Sequence, residues 1–259
     1  MKDSRGARRT LYYTVLLSVL GVLAYANVTA QTPVTNWKVK TTEHFSIFYE
    51  AASPAERDLK MLAQLLEKYY AEASEMFDVE IPKKIQYYFH SRPLYSGTTP
   101  VWGYATPESI HAAYSSSQKD SSPHELYHFI HNYANANAPY FFNEGACGFG
   151  IQIGGEDFHE KTRKRCKELP SYSLDMLVKD FKRYGRFGDF MAYSFNAYLI
   201  ETFGKDKYGQ FYKKVTQQNW QDVLREVYEL DHAALEAQWK DFLCNRDNQE
   251  LATKERGEQ

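Results

Sequence analysis

Residues 121–131 of this chain read SSPHELYHFIH, and the rest of the sequence is best interpreted around them. The segment contains His-Glu-x-x-His and begins like a helix, because Ser122 can cap it and is followed by a proline. At 3.6 residues per turn, His124 and His128 lie one turn apart on the same face, where two imidazoles can hold one zinc ion. Glu125 points about a hundred degrees away, close enough to activate a water molecule without binding the metal.

The same segment has a plainer interpretation. Glu125 also falls where a capping box places a glutamate, so it can be a helix-capping carboxylate and nothing more. The two histidines would then be ordinary core or surface residues. The motif therefore predicts a zinc site only if another part of the chain supplies a third ligand.

A catalytic zinc site uses three protein ligands and keeps the fourth position for water. The extended motif with a histidine six residues after His128 is excluded, because that position is Ala134. His131 shares the helical face, but three consecutive turns of one rigid helix do not converge tetrahedrally on one ion. We expect it beside the ligands as a hydrogen-bonded histidine, with ligation as the alternative. Glu144 follows a turn around residues 135–139 and can return on a second helix, so it is the third ligand that we favour.

Two motifs in succession resemble those of a known family. His124-Glu125-x-x-His128 followed by Asn143-Glu144-Gly145 is similar to the pattern of the gluzincin metallopeptidases, in particular the small bacterial peptidase-MA-like domains. The resemblance extends over residues 37–245. The other stretches that carry it are EHFSIFY at 43–49, FNAYLIETFGKD at 195–206, VLREVY at 223–228 and LEAQW at 235–239.

This resemblance implies an α+β fold of the zincin type, with a small mixed sheet, one long helix, a central zinc-binding helix and a helical C-terminal half. It implies peptide-bond hydrolysis with Glu125 as the general base and a peptide or protein as the substrate. The residues that it assigns to one Zn²⁺ per chain are His124, His128 and Glu144. Asn143 is expected next to these ligands, as is His131.

The chain departs from the family pattern in two places. Many gluzincins use a tyrosine of the downstream helix to stabilise the oxyanion, but the matching position, counted back from Gly204, is Asp189. Tyr193 lies a turn away and is the candidate for this role, with packing in the core as the alternative. Residues 103–109 lack the Gly-x-Met-Glu-Asn stretch of the aminopeptidase branch, which argues against an aminopeptidase of that type.

These departures leave two other functions open. One is a non-catalytic envelope or binding domain that keeps zinc for stability. The other is a zinc hydrolase that acts on something other than a peptide. The intact Glu125 argues against the first, because a structural zinc site has no use for a base beside the metal.

Apolar periodicity predicts three strands and one long amphipathic helix. The strands are at 44–50, 81–89 and 109–115, and the helix is at 54–77. In the proteins that the chain resembles, the strand before the zinc helix is a sheet edge that pairs with the substrate backbone. By that resemblance Ile110, Ala112 and Tyr114 are substrate-binding candidates on an exposed edge. An ordinary edge strand is the alternative.

The chain is expected to comprise four segments. Residues 1–30 are typical of an export signal, with a basic start, an apolar run of about 16 residues and a small-residue cleavage site ending at Ala30. The other segments are an α+β subdomain with the zinc helix and third ligand at 31–150, a helical subdomain at 151–245 and a flexible tail at 246–259. We predict a periplasmic or secreted protein, which would reach a membrane only if the first segment stayed uncleaved.

Charge and cysteine content narrow the possible partners. Residues 1–30 hold four basic residues and one acidic residue, so the rest of the chain carries a formal charge of −5, where the whole chain carries −2. This balance gives no support for a nucleic-acid partner. Three cysteines are too few for a disulfide scaffold. In an oxidising compartment Cys147 and Cys166 could pair and brace the segment after Glu144, and three free buried thiols are the alternative.

Overall fold

A computed structural model describes residues 36–116, 123–153, 162–163 and 171–257, and of residues 149–153 and 245–257 it describes the backbone alone. The predicted export signal, its cleavage site after Ala30 and Cys166 lie outside these residues. Within them the chain combines many helices with a small sheet, as the predicted α+β class requires. None of the described helices is both long and apolar enough to cross a membrane.

The sheet has five strands in the order β1-β2-β3-β7-β6. The strands of the chain are β1 Trp37–Thr41, β2 Phe45–Glu50, β3 Ile85–His90, β4 Leu94–Ser96, β5 Thr99–Val101, β6 Gly103–Ala105 and β7 Ser109–Ala113. The three central strands are parallel, whereas β1 and β6 pair antiparallel with their neighbours, so the predicted mixed sheet is confirmed. Strands β4 and β5 form a separate hairpin. The strand predicted at 81–89 starts only at Ile85, because Pro82 interrupts the run.

The prediction that residues 110–114 form a sheet edge is wrong. Strand β6 pairs with β7, so β7 is an interior strand, and the two edge strands are β6 and β1. Ile110 and Ala112 are fully buried, and Tyr114 is buried with its hydroxyl donating to Asp58 at 3.0 Å. A turn closed by Thr106 folds β6 back onto β7, with the Thr106 amide donating to the Ser109 carbonyl at 2.8 Å.

The long helix predicted at 54–77 is confirmed as α1, Pro54–Phe77. It starts as the local sequence requires, because the Ser53 hydroxyl accepts a hydrogen bond from the Glu56 amide at 3.2 Å and proline occupies the first turn. Its apolar face packs against the sheet, and Asp78 ends it in a left-handed conformation. The buried residues of that face include Leu62, Leu66, Tyr69, Ala73 and Met76.

Four rings stack across the outer face of the sheet, one from each of four adjacent strands. Phe48, Tyr88, His111 and Tyr104 follow one another with centroids 4.5, 4.8 and 4.6 Å apart and nearly parallel planes. This spacing is the distance between neighbouring strands, so the register of the sheet aligns the rings. His90 Nε2 lies 2.9 Å from His111 Nδ1, and the two histidines share a hydrogen bond.

The remaining helices are α2 His124–Asn135, α3 Tyr140–Ile153, α4 Leu174–Lys179, α5 Gly185–Phe203, α6 Lys205–Lys214, α7 Trp220–Tyr228 and α8 His232–Gly257, with a 3₁₀ helix at Phe181–Tyr184. One hydrophobic cluster joins the sheet to these helices, from Phe45 in β2 to Trp239 in α8. The predicted boundary at residue 150 falls inside α3. Helix α8 also includes most of the segment 246–259, which was expected to be a flexible tail; this segment is rich in residues that favour helices.

Helices α3 and α5 lie unusually close together. A Cβ atom added to Gly145 would lie 1.8 Å from Asn196 Nδ2, and one added to Gly148 would lie 2.1 Å from Tyr193 Cδ1. Real Cβ atoms do not approach other atoms so closely, so only glycine fits at these two positions. The glycine pair therefore fixes how α3 rests on α5.

The predicted pairing of Cys147 with Cys166 is wrong. Cys147 is a free, fully buried thiol, whereas Cys244 is in a disulfide, so the alternative of three free thiols is wrong as well. Cys147 lies in α3 among core residues. The pairing of cysteines depends on which distant segments meet in the fold, and this is not encoded in their spacing along the chain.

Candidate metal site

Helix α2 carries the His-Glu-x-x-His motif at its first turn. It begins at His124, directly after Pro123, whose carbonyl accepts from the Tyr127 amide at 2.9 Å. Pro123 offers no side-chain cap, and the predicted cap Ser122 lies outside the described residues. Leu126 and its buried neighbours anchor the helix in the core. The motif is therefore held on a rigid element.

The two histidines of the motif lie side by side, as their spacing predicts. The Nε2 atoms of His124 and His128 are 3.1 Å apart, and their rings are nearly perpendicular with centroids 4.6 Å apart. Both side chains are about one-fifth exposed. Their Nε2 atoms therefore face one common point, between side chains that are mostly buried.

Glu144 brings a carboxylate to that point from α3. Its Oε1 atom lies 3.6 Å from His128 Nε2 and its Oε2 atom 3.8 Å from His124 Nε2, with 15% of the side chain exposed. Donor atoms about 2.0–2.2 Å from a tetrahedral zinc lie roughly 3.3–3.5 Å from one another. The three measured separations fall within a few tenths of an ångström of that range. The two separations from Glu144 involve different oxygens, so the residues fit a metal that both carboxylate oxygens approach.

Cys147 is a second candidate for the third ligand. His124, His128 and Cys147 offer donor atoms that all lie within 4.8 Å of one another, and this cluster could hold a metal ion. The Cys147 sulfur, however, is 3.4 Å from His131 Nε2 and fully buried, and burial raises the pKa of its thiol well above the usual value. The thiolate is the form that binds metals, so a metal at this sulfur would first have to displace the thiol proton, and Glu144 remains the third ligand that we favour. Cys147 was not predicted as a ligand from the sequence, although its place one turn after Glu144 on α3 was a usable signal.

Protonation in the folded protein suits metal binding. Burial lowers the pKa of His124 to about 4 and that of His128 well below its usual value, so both rings are neutral near pH 7. Burial, with a contribution from the Asp189 carboxylate, raises the pKa of Glu144 to about 7. The contacts between Glu144 and the histidines are therefore not ion pairs between charged partners. Two neutral imidazoles lie beside a carboxyl group that is partly ionised near pH 7, and the ionised carboxylate is the form that binds a cation.

His131 lies behind His128 and away from the common point. Its Nε2 atom is 3.1 Å from His128 Nδ1, and the residue is fully buried. The residue thus contacts the inner edge of a candidate ligand. Asn143 lies beside Glu144 on α3, where its Oδ1 atom accepts a hydrogen bond from the Tyr212 hydroxyl.

Glu125 lies under the edge strand of the sheet. A Cβ atom added to Gly103 in β6 would lie 2.8 Å from Glu125 Cγ and 2.7 Å from the His111 carbonyl oxygen. The absence of a side chain at Gly103 therefore leaves room for the glutamate. Trp102, which precedes Gly103, is largely exposed. The three substrate-binding candidates predicted from sequence are not here: Ile110 and Ala112 point into the core, and Tyr114 reaches α1.

Two tyrosines and an aspartate lie near the candidate ligands. The ring of Tyr193 packs on Gly148, and burial first, then the Glu144 carboxylate, raises the pKa of its phenol. Asp189 occupies the position where the gluzincins have their tyrosine. Burial raises the pKa of its carboxyl above the usual value, and the charge of Arg186 offsets part of this rise.

Tyr140 was not predicted, although it lies one turn before Glu144 on the same face of α3. It is half-exposed, and Lys182 Nζ lies 4.7 Å from its ring centroid. Burial raises the pKa of its phenol, and the Glu144 carboxylate adds to the rise. Both Tyr140 and Tyr193 therefore stay protonated near pH 7 and can donate hydrogen bonds.

No family model matches this chain, and no curated protein does. The functional inference therefore rests on the geometry and chemistry of the site.

Proposed function

We propose that the chain is an exported zinc metallopeptidase with a fold of the zincin type. The observation that carries the proposal is the approach of His124, His128 and Glu144 to one another, with Glu125 next to His124 in the first turn of α2. His₂Glu is a known ligand set of catalytic zinc, and it leaves one position open. A purely structural site would close that position with a fourth protein ligand.

In the proposed mechanism, the two histidines and Glu144 hold the metal and Glu125 moves the proton. Zinc, when bound, would polarise the scissile carbonyl and lower the pKa of a bound water to about 7. Glu125 accepts the proton of the attacking water and passes it to the leaving amine. Tyr193 is proposed to donate a hydrogen bond to the oxyanion, with Tyr140 as the alternative donor.

The proposed substrate is an extended peptide that lies along β6. This strand is one of the two edges of the sheet in the described part of the chain, and it passes beside Glu125 at Gly103. An exposed strand edge can add a peptide as a further strand through main-chain hydrogen bonds. A peptide in that position would cross the face of the motif, where its carbonyl can approach the metal.

The proposed location is periplasmic or extracellular, after cleavage behind Ala30. The disulfide of Cys244 supports this, because disulfides persist in oxidising compartments. The acidic mature chain gives no reason to expect nucleic acid as a partner.

One observation favours a non-catalytic zinc-stabilised domain instead. Asp189 stands where the resembling enzymes have their oxyanion tyrosine, and a carboxylate there would repel developing negative charge. A zinc hydrolase of a non-peptide substrate would use the same ligands. It would differ from the proposed metallopeptidase only in the molecule that is cleaved.

Zinc content and proteolysis, measured together on the mature chain, test the proposal. We expect one zinc per chain by elemental analysis and cleavage of denatured casein. Glu125→Gln should keep the zinc and lose activity about 10²- to 10⁴-fold. A mature chain that binds no zinc, or a Glu125→Gln variant with unchanged activity, would overturn the proposal. Zinc without proteolysis of any peptide would favour the non-catalytic domain.

A further inference from the structure

Three groups form a short chain on the buried side of the candidate metal site. The Cys147 sulfur lies 3.4 Å from His131 Nε2, and the same nitrogen lies 3.1 Å from His128 Nδ1. His128 in turn directs its other nitrogen, Nε2, towards His124 and Glu144. One ring nitrogen of His131 is therefore shared between a candidate ligand and a thiol.

The protonation of His128 follows from which of its nitrogens binds the metal. A neutral imidazole carries one proton, so a lone pair on Nε2 requires the proton on Nδ1. That N–H points into the protein interior, where an unpaired donor is unfavourable. The acceptor at hydrogen-bonding distance is His131 Nε2, which must then be unprotonated. The proton of His131 then lies on Nδ1, a buried atom without a hydrogen-bond partner in the described part of the chain.

His131 is well placed to serve as a fixed acceptor. It is fully buried on the same rigid helix, three residues after His128. The rings of Phe77 and Tyr212 pack around it with centroids 6.2 and 5.4 Å away. These two rings lie around the imidazole and pack it beside His128.

Cys147 competes for the same nitrogen. A proton on His131 Nε2 can be donated to the sulfur, but His128 Nδ1 would then have to act as the acceptor or go unpaired. In that arrangement the His128 proton sits on Nε2 and blocks metal binding. A metal at His128 Nε2 is therefore compatible only with the arrangement in which His128 Nδ1 donates to His131 Nε2.

We propose that His131 is a positioning residue that holds His128 in the tautomer able to bind metal, and that the Cys147 thiol competes with His128 for His131. The inference rests on the metal site of the proposed function. It adds a specific hydrogen-bond partner, His131, for the candidate ligand His128, and both residues lie on α2. Partners of this kind orient a ligating histidine, and their loss typically weakens metal binding about 10- to 100-fold.

Zinc affinity, measured by competition with a chelator at fixed pH, separates this role from mere packing. His131→Leu removes the acceptor and is expected to weaken zinc binding about 10- to 100-fold. His131→Gln places an amide oxygen near the former Nε2 and should restore most of the affinity. Ile130→Ala is the control, because it creates a cavity at a buried residue of the same helix that is not a candidate ligand. It should lower the melting temperature and leave the zinc affinity unchanged.

Histidine ¹⁵N NMR of the zinc-loaded wild type provides a second readout. We expect the proton of His128 on Nδ1 and an unprotonated Nε2 on His131. Cys147→Ala should bind zinc as tightly as the wild type or more tightly, because the competing group is gone. Weaker binding by Cys147→Ala would overturn the competing role and identify the sulfur as a ligand.

The outcomes distinguish this inference from the proposed function. If the wild type binds no zinc, both fail. If the wild type binds zinc and His131→Leu binds it equally tightly, only the positioning role fails. Equal losses in His131→Leu and His131→Gln would also overturn that role, because the amide acceptor would have had no effect.

Discussion

The backbone of Gly103 lies against the side chain of Glu125, so closely that a methyl group on the glycine would sit 2.8 Å from the glutamate Cγ atom. One residue belongs to the sheet edge and the other to the first turn of the zinc-motif helix. Strand β6, which is proposed to pair with the substrate, is therefore in direct contact with Glu125, the proposed general base. A small change in the side chain at Gly103 should shift the position of Glu125.

Gly103→Ala should lower peptidase activity about 100-fold, because a shift of about 1 Å in a catalytic group has an effect of that size. Zinc content should stay at the wild-type level, since no candidate ligand touches the new methyl group. The measurement is casein cleavage beside elemental analysis. Ala105→Gly on the same strand is the matched control and should keep most of the activity. Unchanged activity in Gly103→Ala would show that Glu125 is not needed in its present position.

Glu144→Ala and Cys147→Ala should differ sharply in zinc affinity. Removing the carboxylate takes away a ligand, so the loss should exceed the roughly 100-fold typical of groups outside the ligand set. Removing the sulfur should leave the affinity at the wild-type level or above. The zinc affinity of both variants, measured by competition with a chelator, decides whether Glu144 or Cys147 is the third ligand. The reverse ranking would make Cys147 the third ligand and remove Glu144 from the site.

Tyr193→Phe should reduce kcat about 10²- to 10³-fold with little change in KM, because an oxyanion donor acts mainly in the transition state. Tyr140→Phe removes the same hydroxyl from the other candidate and should change kcat much less. Steady-state kinetics on the two variants, with melting temperatures as the control for folding, gives the comparison. A large loss in Tyr140→Phe alone would assign the role to that residue.

Acid should destabilise the protein through the two histidines on the outer face of the sheet. Burial lowers the pKa of both His90 and His111 to about 4, whereas the ordinary value for the unfolded chain is 6.5. Neutral rings therefore favour the folded state above pH 6.5, and this contribution is lost as the pH falls towards 4. Linkage gives a loss of about 2 kcal/mol per histidine between pH 7 and pH 5. Urea unfolding at the two pH values measures it.

The control for this prediction keeps the ring stack and removes one titrating group. His111→Phe should retain the stacked ring and reduce the acid-dependent loss by about 2 kcal/mol. Tyr88→Phe, in the next ring of the stack, should leave the loss as it is in the wild type. An unchanged pH dependence in His111→Phe would mean that His111 does not carry the effect.

The features predicted correctly from the sequence are those that local periodicity determines. Helix α1 has its cap and its apolar stripe within one segment, so its bounds could be read directly. The approach of Glu144 to the two histidines needed only one short turn between two helices. In both cases few residues separate the interacting groups along the chain.

The errors concern features that depend on tertiary contacts. Strand β6 has three residues and begins with glycine, so it carries no recognisable period, and β7 was taken for the edge in its place. The disulfide of Cys244 depends on how distant segments meet. The same is true of Gly103, whose lack of a side chain has meaning only once Glu125 lies beneath it.

The close contact between α3 and α5 has a consequence for the order in which the site is assembled. The two histidines come from a helix that is synthesised early, whereas Glu144 is held in place by glycines that fit only against Asn196 and Tyr193. A chain that has not yet emerged as far as α5 lacks the surface that fixes its third ligand. If the protein is an exported peptidase, it therefore stays inert during translation until α5 has emerged, and becomes competent only after α5 has docked on α3.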